Sequence, residues 1–214
     1  MNEVVDRKYE LPLVALRGLT VLPDMIIHFD LSRAMSIKAM EKALNDGQKV
    51  FLVAQKNPSE DMPTRESLYE VGTVAMIKQV TKLPNQISRV LVEGIQRARI
   101  EELNDHEGAY FSAVIEEIEE IQEDLEPQEE EALIRSLKEV FSTYVKFFPK
   151  VGKSLGRYFN EPNKLSFLLN QVAINTPFSF EQKQSLLETT DLREQAEMMI
   201  TLLLNESQIA AIRS

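Results

Sequence analysis

The chain has no cysteine, no tryptophan, two histidines and seven glycines in 214 residues. Without cysteine there is no disulfide framework, no thiolate metal site and no cysteine nucleophile. No apolar run approaches the roughly 20 residues that a membrane helix needs. The start, Met1 to Asp6, lacks a basic region, and the apolar stretch from Leu11 is interrupted by Pro12, Arg17 and Gly18, so no signal peptide is expected. These traits fit a cytoplasmic protein. Also missing are a GxxxxGK[ST] phosphate loop, a nucleophile elbow and an HExxH helix, which leaves no sequence case for a nucleotide site or a hydrolytic centre. Asp105-His106-Glu107 is the one cluster with metal-ligand types, but adjacent residues on a turn point in different directions. His28 reads as a strand residue with a hydrogen-bonded ring.

A hydrophobic content of 43% with 27% charged residues is ordinary globular usage, so a sizeable core is expected. The formal net charge is -10. It is concentrated in Glu116, Glu117, Glu119, Glu120, Glu123, Asp124, Glu126, Glu129, Glu130 and Glu131, with no Lys or Arg among them. The rest of the chain is close to neutral. A basic footprint for phosphates is therefore missing, which argues against nucleic acid as a partner. The acidic run reads as a strand end and solvated linker, or else as a docking tail for a basic partner.

The clearest pattern runs from Tyr69 to Leu103 and reads as three antiparallel strands. From Thr73 to Thr81, Val74, Met76 and Val80 alternate with Thr73, Ala75, Ile77 and Gln79. Leu83-Pro84-Asn85-Gln86 is a reversal, because proline fixes φ and asparagine tolerates the left-handed region. Val90-Leu91-Val92 suggests burial on both faces, and Gly94 is taken to punctuate the run before a third strand around Arg97 to Glu101. Further strands are expected over Leu11 to Leu16, Met25 to Leu31, Lys49 to Ala54 and Tyr110 to Ile118. A short helix begins near Ser36 and stops at Gly47, and Gln55 to Ser67 reads as a polar exposed loop. The N-terminal part is thus β-rich, barrel-like or two packed sheets. Its apolar, punctuated segment Leu19, Val21, Leu22 and Met25 is the candidate contact site, provided these groups stay at the surface rather than in the core.

After Pro127 the period changes to three and four. Leu133, Leu137, Val140, Phe141, Tyr144, Val145 and Phe148 form an apolar stripe that Pro149 ends. Gly152 and Gly156 flank a weak helical piece, and Pro162 suits the first turn of a helix carrying Leu165, Leu168, Leu169 and Val172. Ser179-Phe180-Glu181-Gln182 and Asp191-Leu192-Arg193-Glu194 both read as capping boxes. A last helix carries Leu192, Ala196, Met199, Ile200, Leu203 and Leu204 and fades without a stop signal, as expected of a piece of something longer. The class is therefore α+β, with a β-rich lobe over 1–121 and a helical bundle lobe ending in a long helix over 122–214. Composition and spacing alone reach a two-part binding module.

Specific motifs go further. Leu11-Pro12-Leu13, Leu16-Arg17-Gly18 and Val21-Leu22-Pro23 resemble the opening signature of the N-terminal domain of Lon proteases. Val71-Gly72-Thr73, Lys82-Leu83-Pro84-Asn85, Val90-Leu91-Val92-Glu93-Gly94 and Arg97 follow in that family's order. Lys183-Gln184, Leu187-Glu188 and Asp191-Leu192-Arg193 are similar to its helical part. The resemblance implies a β-lobe of PUA-like topology and a helical lobe leading to an ATPase and a Ser-Lys peptidase, neither present here. It implies no catalytic residue and no cofactor in this fragment, ATP and Mg belonging to the downstream domain. It also implies unfolded or damaged protein as partner, self-association in a hexamer, and regulation. Two other readings are a purely structural oligomerisation or spacer module and, by fold analogy only, an RNA-binding PUA-like module.

Overall fold

In a computed structural model the described residues are 7–120 and 125–214. The chain divides into two compact units, Met1–Glu119 and Glu120–Ser214. The expected boundary between 121 and 122, and Glu123 and Asp124 of the acidic run, lie outside the described residues.

The first unit contains strands β1 (Lys8–Leu16), β2 (Ile26–Leu31), β3 (Lys49–Ala54), β4 (Val71–Leu83), β5 (Ile87–Asp105) and β6 (Phe111–Glu117), with helix α1 (Ala34–Leu44) between β2 and β3. The sheet order is β2-β5-β4-β3-β1-β6, and a further β5–β6 pairing closes it. Five strands therefore form a ring, which gives each of them a neighbour on both sides over the paired stretches. β2 stands outside the ring on β5. β1 runs parallel to β3 and antiparallel to β6. Pro12 lies within β1 one residue before the pairing with β3 begins at Leu13, where a missing N–H leaves no ladder gap on that side. The interior is filled by Leu13, Phe51, Val53, Val74, Ile100 and Ile115, each 3% exposed or less. Burial of each such large side chain contributes about 1.5–3 kcal/mol.

The three expected meander strands are two long ones, because Gly94 does not interrupt β5. A Cβ there would sit 2.1 Å from the Leu22 carbonyl oxygen. The residue is glycine because another stretch of backbone lies against it. Gly94 N donates to Met25 O and Asp24 N donates to Gly94 O, both at 2.8 Å. The Thr73 hydroxyl donates to Val21 O at 2.6 Å. The segment after β1 is thus bound to the sheet as firmly as a strand. β4 carries register shifts at Val74/Ala75 and Ile77/Gln79, and its buried face past the first shift holds Ala75 and Ile77. Val90 and Val92 are fully buried while Leu91 between them is half-buried, so this stretch has one dry face rather than two. The reversal has Asn85 and Gln86 at φ 66 and 61, the left-handed geometry a tight hairpin demands.

The second unit holds α2 (Pro127–Tyr144), α3 (Pro149–Asn160), α4 (Leu165–Asn175), α5 (Phe180–Glu188) and α6 (Leu192–Arg213). α2 packs mainly on α6. Of the α2 stripe, Leu137, Phe141 and Tyr144 are buried. The helix ends at Tyr144, and Phe148 stacks on that ring at 4.4 Å; Pro149 opens α3 instead of closing α2. Burial and the charge of Glu206 push the Tyr144 phenol up to about 12. α3 is a full helix, and α4 begins at Leu165, not near Pro162. Ser179 and Gln182 form a reciprocal capping box, and the Asp191 carboxylate accepts from Glu194 N at 3.0 Å.

Parts of the acidic run are structural rather than solvated linker. Glu117 accepts from the Tyr9 hydroxyl and Glu119 pairs with Arg7. Glu129 receives both arms of the Arg193 guanidinium, which holds its carboxyl below the usual range, and Glu130 accepts from Leu165 N to cap α4.

Three substitutions test this packing by urea unfolding of the purified chain. Gly94→Ala is expected to destabilise the β-unit by about 1–3 kcal/mol, since the clash is with backbone that cannot swing away. Leu137→Ala is expected to cost the helical unit roughly 2–5 kcal/mol, and Asp191→Ala about 1 kcal/mol.

Candidate functional site

One concavity of the β-unit, lined almost wholly by apolar groups, has a volume of about 310 Å³. Its floor comes from β1 and β6 through Leu13, Ala15 and Phe111, one wall is the first turn of α1 with Met35, and the opposite lip is Asp61-Met62-Pro63. Met62 is 61% exposed, a large apolar group left in water at the mouth of an apolar hollow. Two methionines at such a mouth give an adaptable, polarizable lining, because the unbranched thioether has many accessible shapes.

The lip is polar loop sequence held in place from beneath. Gln55 is fully buried at the end of β3, and its carboxamide nitrogen donates to Asn57 O and Glu60 O at 3.2 and 2.8 Å. Its oxygen accepts from Arg33 at 2.7 Å, and the same guanidinium donates to Ala15 O at 2.6 Å and Asp61 O at 3.1 Å. Burial, and next the nearby charge of Arg17, hold the Arg33 guanidinium below its usual pKa. Arg17 reaches Pro58 O at 2.7 Å. One buried amide and two arginines therefore join β1, the start of α1 and the 55–63 loop, so the hollow is preformed. Sequence reasoning treated 55–67 as a plain exposed loop and missed it. The Met62-Pro63 pair inside a polar stretch was the available signal.

Of the residues picked from sequence, Val21, Leu22 and Met25 are 3%, 1% and 7% exposed. They face the interior of the β-unit, because the backbone contacts to Thr73 and Gly94 draw this segment onto the sheet. Leu19 is half-buried and lines a smaller hollow of about 100 Å³ with Phe29, Leu31 and Arg33. The exposed apolar group of this stretch is Ile26, at 64%. The four chosen residues are thus not one surface patch; of the four, only Leu19 is half-buried rather than buried. His106 bonds Ser112 Oγ at 2.7 Å and stacks on Tyr110, while the Asp105 carboxylate accepts from Gly108 N, so this cluster serves its turn. Among the described residues there is no group of three metal-ligand side chains. His28 lies exposed on β2 with no hydrogen-bond partner among the described residues.

Gln55→Ala is expected to cost about 1–3 kcal/mol in urea unfolding, through the buried carbonyls and guanidinium it strands. Amide hydrogen exchange across residues 56–63 is expected to accelerate more than elsewhere in the β-unit.

The geometry has a family context. A family profile described as the ATP-dependent protease La (LON) substrate-binding domain matches residues 10–205. A Lon protease of Brevibacillus choshinensis is 41% identical over 202 residues, which cover 94% of this chain and 26% of the relative. Lon protease 1 of Bacillus subtilis is 36% identical over 205 residues (96% and 26%), and the Lon protease of Escherichia coli 35% over 212 (99% and 27%). The chain thus spans about a quarter of the length of these relatives. The N-terminal domain of a Mycobacterium avium complex Lon protease superposes with a TM-score of 0.71 at 21% identity, covering 91% of this chain and 98% of that one. The Lon N-terminal domain protein from Xanthomonas campestris gives 0.61 at 15%, with coverages of 90% and 98%. At those identities the two structures speak for the fold alone. With 10–205 matched end to end, the chain belongs to the Lon protease substrate-binding domain family.

Proposed function

We propose that this chain is the non-catalytic, client-engaging region of an ATP-dependent Lon protease, and that its β-unit holds unfolded or damaged polypeptide through the hollow between Met35 and Met62. The observation that carries this is the preformed apolar hollow, rimmed by a 61% exposed methionine, on a chain of the substrate-binding family. Unfolded clients offer no fixed shape, so the surface that takes them works by accepting many apolar side chains. About 310 Å³ suits one large aliphatic or aromatic side chain with room to reorient. In this reading ATP, Mg and peptide cleavage belong to other domains of the parent protein, and the compartment is cytoplasmic. Among the described residues no helix is long and apolar enough to cross a membrane.

A second role, support of self-association in the parent hexamer, rests on a separate observation. Leu204, Ile209 and Ile212 on the last turns of α6 are 42%, 42% and 84% exposed. Helical apolar groups in water at that density favour a covering partner. The same observation serves the spacer reading, in which assembly is the sole task.

Fluorescence anisotropy with a labelled, reduced and carboxymethylated protein as permanently unfolded probe tests the first role. Met35→Asp with Met62→Asp is expected to weaken binding roughly ten- to a hundredfold, the loss of two apolar contacts plus desolvation of charge. The unfolding curve is expected to stay in place for Met62→Asp alone. Unchanged affinity in the double variant removes the hollow from the client path. For the second role, sedimentation of the parent protein carrying Ile209→Asp and Ile212→Asp is expected to show loss of the assembled species.

A further inference from the structure

β2 is the strand of the sheet with a single partner, since the other five each have two neighbours in the closed ring. Its pairing with β5 is unbroken from Ile26↔Glu93 to Leu31↔Ser88. Gly94 N donates to Met25 O, which makes that pair hydrogen-bonded, and antiparallel ladders alternate. Ile27, Phe29 and Leu31 therefore bond β5, while the N–H and C=O groups of Ile26, His28 and Asp30 point away from the sheet. Among the described residues none of these outward groups has a backbone partner.

Exposed edges are normally blunted by lysine, proline or a bulge. Another free run of this unit follows that rule. Beyond Met76, β4 loses β3, and there it carries the Ile77/Gln79 register shift, Lys78 and Lys82. β2 reads IIHFDL and has none of these devices. Its single charge, Asp30, is neutralised by Arg89 of β5 at 2.9 Å. Depressions flank it: the hollow of about 100 Å³ lined by Leu19 and Phe29, and an open groove of about 460 Å³ along His28, Phe29, Asp30 and Arg89. The edge thus offers backbone donors and acceptors of unspecific sequence, with room beside them for side chains.

We propose that the free edge of β2 captures an extended segment of unfolded client as an added antiparallel or parallel strand. The occupant follows from the chemistry: outward amides and carbonyls in strand spacing are satisfied by another strand, and main-chain bonding accepts any sequence free of proline. This rests on the client reading above and adds to it a main-chain component at a second place on the β-unit.

The test is fluorescence anisotropy on the whole chain with a labelled peptide of about eight alternating valine and threonine residues, and with the same peptide N-methylated at every amide, which removes the donors of both its edges. The plain peptide is expected to bind. Methylation, which keeps every side chain but removes the donors of both peptide edges, is expected to weaken it roughly tenfold, as is His28→Pro, which deletes an outward N–H without touching the β5 ladder. If His28→Pro fails to fold, His28→Lys and the methylated peptide carry the test. Equal affinity for both peptides overturns the proposal, as does an edge already filled in a concentration-dependent dimer that His28→Lys dissociates. Failure of the plain peptide where the carboxymethylated protein still binds overturns strand capture and leaves the client reading standing. Failure of both probes removes the client reading as well.

Discussion

The β-unit depends on the contact between the backbone of residues 21–25 and the flank of β4 and β5. Gly94 offers no side chain, so the Leu22 carbonyl lies where a Cβ would be, and the Gly94 amide and carbonyl are both bonded to the incoming segment. Thr73 secures Val21 from the neighbouring strand. Everything downstream follows from that fastening. It buries Val21, Leu22 and Met25, fixes the register with which β2 enters its pairing with β5, and turns the chain back so that α1 begins over β1. The hollow between α1 and the 61–63 lip exists because the chain arrives there at a set height. A glycine within β5 and a threonine near the start of β4 thus fasten the 21–25 segment to the sheet.

The overall division into a β-rich lobe and a helical lobe was legible, because the period changes from two to three and four after Pro127, and because caps such as Ser179 with Gln182 are local chemistry. The strands β1 and β3 were legible as short apolar runs. What was not legible turned on contacts between distant residues. Gly94 looks like punctuation until its neighbour Leu22, far away in sequence, is known, and the same contact converts an apolar loop that resembled a surface site into core. Pro149 and Pro162 illustrate a smaller ambiguity: proline is compatible with both the end of one helix and the first turn of the next, and only the stacking of Phe148 on Tyr144 decides the first case. The candidate hollow was hidden because its polar support, Gln55 and Arg33, reads as ordinary loop and helix-start sequence. A fully buried glutamine has no periodic signature.

The acidic run shows how charge counts mislead when position is unknown. Read as composition, it is a solvated or docking segment. In the structure four of its members have distinct tasks: Glu117 and Glu119 finish β6 and its surroundings, and Glu129 and Glu130 tie α2 to α6 and α4. Exposed pairs of this kind contribute little stability each. Their geometry matters more, since Glu130 supplies the acceptor that α4 lacks at its own N-cap, Lys164. For these four residues the negative charge is tied to a strand end, a helix terminus and ion pairs.

A surface that must engage chains without fixed structure faces a conflict between adaptability and order. Flexible side chains accept many shapes, but a flexible backbone beneath them makes each encounter costly in conformational entropy. The β-unit separates the two requirements. Backbone order is concentrated under the lip, where Gln55, Arg33 and Arg17 fix the loop through main-chain carbonyls, and variability is left to the thioethers of Met35 and Met62. At β2 the arrangement is reversed in kind though not in logic: the rigid feature is the row of amides and carbonyls set by the β5 ladder, and the open space beside Phe29 and Leu19 tolerates differing side chains. Under the proposed client role, both places would have low specificity because the fixed part reads nothing about sequence, and little would have to be ordered when a client arrives.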